Sequence, residues 1–389
     1  MNPTLTFRKI AFARPWITDD DRQAVMDVLH RDVLTHGPEG KQFEEEFARS
    51  LGGEAYCVSL SSGMAALHLA YITLGIGPGD DVIVPAQTHI ATAHAVEWVG
   101  ARPVFADCDP TTGNMDPAVV GKLITPKTKA IGLVHFLGVP CRMDPIMSLA
   151  HKHRLYVVED CAIALGSRVN GVHVGLIGDC GAFSFYPVKH ITTGDGGMFI
   201  SKHKDLAGKV NKARGFGVDR GFAERSIPGM YDVPTLGLNY RMSDINAALG
   251  RRQLARLEEM LRRRRANFAH LKNALDGAGP WRILDAPENG TTNSFYCLSV
   301  ILQPPLNTRR NEIVTRLNAA GIGTSVYYPQ PVPRMTYYQK KYGYNPALYK
   351  NAAVVSDHGI ALPVGPHLSS EDLALIADTF KSTVKEITS

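Results

Sequence analysis

The sequence predicts an α/β fold: a large, mostly parallel, seven-stranded sheet flanked by helices, followed by a smaller α+β C-terminal domain. Three observations carry that expectation. The chain has 389 residues, beyond the size at which one hydrophobic core keeps growing, so two domains are expected. From about residue 53 to 201, short β-rich apolar runs alternate with segments of helical spacing, as crossover units of a parallel sheet do. Beyond about residue 255 the chain turns to β-type runs between longer helices, so the large domain is expected over 1–254 and the small one over 255–389.

Taken in order, Thr18 followed by Asp19, Asp20 and Asp21 reads as a helix cap with acids placed for the helix dipole. A second helix is expected from Pro38 to Gly52. The seven strand candidates are AYCVSL (55–60), DVIVPA (81–86), RPVFAD (102–107), KAIGLVHF (129–136), LYVVED (155–160), GAFSFY (181–186) and GMFIS (197–201). Met64 to Leu74 and Pro145 to His153 carry helical spacing between them. Only a short loop separates the last two strands, so that pair need not be parallel. Ser243 to about Leu271 has long helical character, followed by WRILDA, SFYCLSVIL, a helix from about Thr308 and a last one near Ser369, where Ser370, Glu371 and Asp372 suit an N-terminus.

The bulk numbers exclude several classes. A hydrophobic share of 44% and a charged share of 20% are those of an ordinary globular enzyme. The net charge of +5 mildly favours small anions but is too diffuse for nucleic acid. There is no run of about 18 apolar residues to span a membrane, and MNPTLTFRKIAFARPW has neither the apolar segment nor the cleavage site of a signal peptide. The cysteines (57, 108, 141, 161, 180 and 297) form no CxxC pair, which fits reduced core thiols in a cytoplasmic protein rather than disulfides or a zinc site. A GxGxxG turn after the first strand is missing, which argues against an NAD-binding sheet.

Three groups carry chemistry. Lys189 lies in a loop between two apolar strands, in GAFSFYPVKHITTGDGG; a lysine held away from water there has its ammonium form disfavoured, as amine nucleophiles require. The strand LYVVED ends in Glu159 and Asp160, at the edge where α/β sheets bind ligands, although such acids also simply close strands. Ser61-Ser62-Gly63-Met64 joins a strand to a helix start, an arrangement that binds phosphate and that also caps helices for local reasons.

Four strings, SSGMAALHLAYITLGIGPGDDVIVPAQTHIATAHAV, VVEDCAIALGS, FSFYPVKHITTGDGG and LGLNYRMSDINAALGRRQL, resemble the sugar aminotransferases of the DegT/DnrJ/EryC1/StrS group. The resemblance runs from about residue 10 to the C-terminus. It implies the fold-type I, aspartate-aminotransferase-like architecture and pyridoxal 5′-phosphate (PLP) as cofactor. Lys189 would then be the Schiff-base lysine and proton shuttle, with Asp160 at the pyridine nitrogen. Ser184, Ser62 and the backbone of Gly63 and Met64 would hold the phosphate; Met64 stands where relatives often carry a hydroxyl. His89 falls at the ring-stacking position, or else is a polar pocket wall. Asn239 matches an asparagine reaching the phosphate of the neighbouring subunit, which implies a homodimer; Tyr240 and Arg241 would brace its loop.

The resemblance implies transfer from glutamate to a nucleotide-linked keto-deoxy-sugar, making amino sugars for polysaccharides such as O-antigen or for natural products. Leu165-Gly-Ser is similar to members acting on GDP-4-keto-6-deoxymannose, as a GDP-perosamine synthase does. The nucleotide (GDP, UDP or dTDP) and the choice of C3 or C4 stay open. Two departures stand out. Ile163 occupies the place of a Gln near the cofactor's ring hydroxyl, so that contact is lost or supplied elsewhere. A dehydratase branch replaces the lysine by His, whereas this chain keeps Lys189 before His190, which favours amino transfer. The rival readings are a PLP-dependent sugar dehydratase and a catalytically silent cofactor- or sugar-binding regulator. Thr35-His36-Gly37-Pro38 and Tyr327-Tyr328-Pro329 fall where the family contacts sugar or nucleotide, and both also read as turns with aromatic packing. The arginines at 251, 252, 256 and 262–265 read as a solvated helix face or as a seat for diphosphate.

Overall fold

The computed structural model describes residues 8–52, 55–219, 227, 229–285 and 290–388. The start of the N-terminal run tested for a signal peptide (1–7) and the last residue of WRILDA lie outside them. Two helices open the chain, α1 (Asp19–Leu29) and α2 (Pro38–Leu51). Thr18 caps α1 in a reciprocal box with Asp21, as the acidic start implies.

All seven strand candidates enter one sheet. Its strands are β1 (Tyr56–Leu60), β2 (Asp81–Pro85), β3 (Arg102–Ala106), β4 (Thr128–Val134), β5 (Tyr156–Asp160), β8 (Cys180–Ser184) and β9 (Gly197–Ser201), in the order β1-β9-β8-β5-β4-β2-β3. β9 runs antiparallel to both neighbours and the other pairs are parallel. Every residue of β2 and β9 is buried, because helices cover both faces and leave no polar side to alternate with. The connecting helices are α3 (Gly63–Thr73), α4 (Ile90–Trp98), α5 (Pro117–Leu123), α6 (Met143–His153) and, after β9, α7 (Lys204–Ala213).

The expected single helix from Ser243 is two, α8 (Asp244–Ala255) and α9 (Leu257–Leu275). They break at Arg256, whose guanidinium is held by the Trp16 carbonyl, the Thr18 hydroxyl and Asp21. Tertiary ion pairing outside the helix thus overrides its helical propensity. After α9 come β10 (Trp281–Ile283), β12 (Leu298–Leu302) and β13 (Gly359–Leu362), a separate antiparallel sheet in that order. Helices α10 (Arg310–Ala319), α12 (Lys350–His358) and α13 (Ser370–Thr388) complete it, whereas α11 (Thr336–Tyr342) packs its Tyr338 on His94 of α4 and Phe105 of β3. Its core, including Phe268, Leu271, Trp281, Ile313, Ile376 and Phe380, is distinct from the cores around the large sheet. The sequence signals missed a third sheet of two-residue strands, β6 (Arg168–Val169), β7 (Val172–His173) and β11 (Thr291–Thr292). Such short polar strands have no periodicity to read; their pairing is decided by the tertiary fold.

Candidate active site

The carboxyl ends of the parallel strands converge on one edge of the large sheet, where ligands of such folds bind. Strand β1 leads through Ser61 and Ser62 into α3. Ser62 spends its hydroxyl on the cap, accepting from the Ala65 amide at 3.1 Å. The Gly63 and Met64 amides, in the first turn, have no acceptor within the helix, so they and the dipole face outward. Two glycines let this helix end approach the loop after β8. A Cβ on Gly63 would stand 2.8 Å from the Cβ of Ser184, and one on Gly197 would meet the Ser62 carbonyl and the Gly63 nitrogen. Ser184 is therefore packed against the helix start.

The loop from 185 to 196 presents Lys189. Phe185 anchors it: its amide donates to the Gly196 carbonyl, and its own carbonyl accepts from the Thr193 amide and the Thr192 hydroxyl. Asn246 on α8 donates to the Thr193 carbonyl at 2.5 Å. Lys189 is half-buried. Burial pushes its amine down to about 8, with Asp160 pulling the other way. Among the described residues its Nζ has no hydrogen bond or ion pair, and it lies 5.6 Å from the centre of the Tyr296 ring.

Asp160 ends β5 and is buried. Its Oδ2 accepts from the Thr92 hydroxyl at 2.8 Å and its Oδ1 from the Ala162 amide at 3.0 Å. Glu159, one residue earlier, points to the opposite face. There its carboxylate accepts from His135 Nε2 and from the amides of Gly175, Ile177 and Gly178, at 2.6–2.9 Å. Burial alone would raise its carboxyl, but these donors hold it below the usual range. Ligand atoms of His135, Glu159 and Cys161 gather within 4.8 Å, yet the two Glu159 oxygens are already taken up by those four donors. Glu159 is thus a structural anchor, and only Asp160 of the pair acts on Lys189, His89 and Tyr328.

His89 caps α4, its Nδ1 accepting from the Ala91 amide, and its ring lies exposed, 5.7 Å from that of Tyr328. Burial of its remaining face and then Lys189 push its imidazole below the ordinary value. Tyr327 and Tyr328 are half-buried beside it; the Tyr327 hydroxyl pairs with that of Tyr296 at 2.8 Å, and its carbonyl accepts from Gln87. The Thr35–Pro38 loop is fixed elsewhere, against the start of α8, where Asp244 takes the amides of Gly37 and Glu39 and gives its own to the Leu34 carbonyl.

Asn239 is exposed and bridges to Gly215. Tyr240 and Arg241 do brace its loop: the Tyr240 carbonyl accepts from the Ser61 amide, its hydroxyl meets His68, and Arg241 covers Phe216. Ile163 is 1% exposed and faces the core, so no side-chain donor comes from that position; its carbonyl accepts from Ser294. The arginine run does not form one solvated face. Arg251 pairs with Glu39 and Glu46, Arg256 with Asp21, and Arg264 is 5% exposed with its NH1 on the Tyr296 carbonyl. Arg252, Arg262, Arg263 and Arg265 remain exposed. Sequence reasoning missed Thr88, Thr92, Gln87 and Tyr296. The first three stand within PAQTHIAT, where only a contact across the sheet distinguishes them from other polar residues.

The set fits the cofactor that the motifs imply. A helix start cradled by glycines suits a phosphate, a buried carboxylate suits a ring nitrogen, and an amine of lowered basicity suits an aldehyde.

Comparison with known proteins agrees. The model of the DegT/DnrJ/EryC1/StrS aminotransferase family matches residues 15–381. GDP-perosamine synthase of Caulobacter vibrioides is 38% identical over 328 residues, 83% of this chain and 86% of that protein. DesV of S. venezuelae, solved in complex with a ketimine intermediate, is 34% identical with a TM-score of 0.86 over 93% of each chain. A Streptococcus pneumoniae protein assigned as a sugar aminotransferase, solved in its PMP-form, is 30% identical with a TM-score of 0.92 over 97% of this chain and 100% of that one. The chain therefore belongs to the DegT/DnrJ/EryC1/StrS aminotransferase family.

Proposed function

We propose that this PLP-dependent aminotransferase moves an amino group from glutamate to a nucleotide-linked keto-deoxy-sugar, at C4 of a GDP-linked 6-deoxyhexose. The single observation that carries the reading is Lys189: an amine with no hydrogen bond or ion pair among the described residues, held at lowered basicity, with the buried Asp160 as the acid acting on it. The similarity to GDP-perosamine synthase supports the sugar class.

When bound, PLP supplies the electron-poor ring that stabilises a carbanion at the amino-acid α-carbon. Lys189 Nζ would anchor the cofactor, and as a free amine it would take the proton from the donor's α-carbon and later deliver one to the sugar carbon. Asp160 keeps the ring nitrogen protonated. Ser184, with the Gly63 and Met64 amides beside the Ser62 cap, holds the phosphate. His89 would stack on the ring, and Tyr327 and Tyr328 would wall the sugar side.

The large PLP-binding domain spans 1–254 and the small one 255–389. A homodimer completes the site, with Asn239 serving the neighbouring subunit. A run of exposed apolar side chains near Asn239, including Phe216, Met230, Tyr231 and Leu236 (93% exposed), supports a covering partner. All six cysteines are unpaired and among the described residues no helix is long and apolar enough to cross a membrane, which supports work in the cytoplasm. The amino sugar would feed a surface polysaccharide.

The test incubates the protein with glutamate and a panel of nucleotide-linked 3-keto and 4-keto sugars, with mass spectrometry of the products. An aminated GDP-linked 4-keto sugar is expected. Conversion of glutamate to its keto acid without amination of any sugar refutes the sugar assignment.

A further inference from the structure

The carboxylate of Asp160 is held by a side chain for which the reading above has no use. Thr92 is fully buried in the first turn of α4, and its hydroxyl lies 2.8 Å from Asp160 Oδ2. Behind it, 2.8 Å away, lies the hydroxyl of Thr88, also buried. Threonines in helices ordinarily return their hydroxyl to a carbonyl one turn back. Thr73, Thr315 and Thr388 do so, to the carbonyls of Leu69, Asn311 and Val384. Thr92 instead crosses to another element, where its acceptor is a carboxylate.

We propose that Thr88 and Thr92 form a two-hydroxyl relay that holds Asp160 turned toward the cofactor's ring nitrogen, and so are positioning residues for transamination. The proposal rests on the reading in which Asp160 meets that nitrogen.

The direction of the relay follows from counting protons. An ionised carboxylate only accepts, so the single hydroxyl proton of Thr92 goes to Oδ2. The Thr92 oxygen is then free to accept, and Thr88 must be the donor to it. With Oδ1 taken by the Ala162 amide, the plane of the carboxylate is fixed and each oxygen keeps a lone pair for a further donor. Other titratable groups acting on Asp160 are Lys189 from the loop, His89 from α4, Tyr71 from α3, Tyr328 and the adjacent Cys161. Of these, Thr92 has no counterpart: it bonds the carboxylate directly and carries no charge of its own.

Removing its hydrogen bond takes away one of the two donors that orient the carboxylate. The proton on the ring nitrogen is then held less firmly, and the ring becomes a weaker electron sink. The same helix turn carries His89 at its cap, and the Thr92 amide donates to the His89 carbonyl, so the relay also fixes the residue over the ring relative to the acid behind it.

The test compares full-length Thr92→Val, Thr92→Ser and Thr88→Val, each loaded with PLP. The readouts are the rate of the half-reaction with saturating glutamate and the pH at which the visible band of the Lys189-bound cofactor changes form. Thr92→Val is expected to slow the half-reaction by roughly 10- to 100-fold, the worth of one hydrogen bond to a charged group. It should also move the spectral midpoint upward by about one pH unit, because a less positive ring withdraws less from the linkage to Lys189. Thr92→Ser should return to within about threefold of wild type, and Thr88→Val should shift both readouts the same way by a smaller amount. A Thr92→Val enzyme with the wild-type midpoint and rate overturns the relay, as does equal damage from Ser and Val. If Thr92→Val does not fold, Thr92→Ala and Thr88→Val make the same comparison. A wild-type protein that develops no visible band with PLP refutes the cofactor reading itself, an outcome distinct from failure of the relay.

Discussion

Lys189 should capture PLP at a pH where an ordinary lysine is inert. Its amine is held at about 8, against 10.5 for a free lysine, chiefly because burial strips water from the ammonium form. At pH 7.5 about a quarter of the molecules then carry the free amine, against about one in a thousand for a solvated lysine, a gain of order 200-fold in reactive species. The assay mixes cofactor-free protein with PLP across pH 6 to 10 and follows the rise of visible absorbance, each rate divided by that of a simple alkylamine expressed per free, unprotonated amine, to remove the titration of PLP itself. The log of the rate should climb with pH and level off near 8. Asp160 opposes the shift, so Asp160→Ala should move the plateau to lower pH. A rate that climbs with unit slope beyond pH 9 refutes the claim that burial activates this lysine.

The same burial has a stability consequence. Because the folded-state value lies below the unfolded one, the cost of charging Lys189 is complete below pH 8 and disappears as pH rises through 10.5. Lys189→Met should therefore stabilise the cofactor-free protein in urea by roughly 1–3 kcal/mol at pH 7, by little near pH 10.5, and abolish the visible band. Gly197→Ala should lower the melting temperature and weaken PLP binding, since its Cβ would stand under 3 Å from the Ser62 carbonyl and the Gly63 nitrogen; overpacking of this kind costs about 1–3 kcal/mol. Glu159→Gln leaves three amides and an imidazole facing a group that is half donor, and should cost about 3 kcal/mol in urea unfolding without altering the absorbance of any cofactor still bound. Acid should mimic it. The Glu159 carboxyl is held below its ordinary value, so its stabilisation is present above the unfolded value and lost as pH falls through the folded one.

The sequence by itself determined the large sheet, and it singled out the lysine loop and the acid on which the proposed chemistry rests. Strands buried on both faces leave runs such as DVIVP and GMFIS that nothing else explains, and the lysine loop and the acid after LYVVE lie at strand ends, where topology makes them neighbours. What those strands do with their side chains was legible only in part. Glu159 and Asp160 look equivalent in sequence, yet the two-residue period of a strand sends one to a structural anchor and leaves the other to act on Lys189.

Tertiary structure alone decided the rest, because the deciding partners are far apart along the chain. Arg256 breaks α8 from α9 through contacts with Trp16 and Asp21, and Arg264, in a run that reads as solvent-facing, is buried on the Tyr296 carbonyl. Thr92 becomes more than a helix residue only because Asp160, sixty-eight positions later, arrives within 2.8 Å of it. Periodicity records which face of an element is buried. It does not record which polar group waits on the other side.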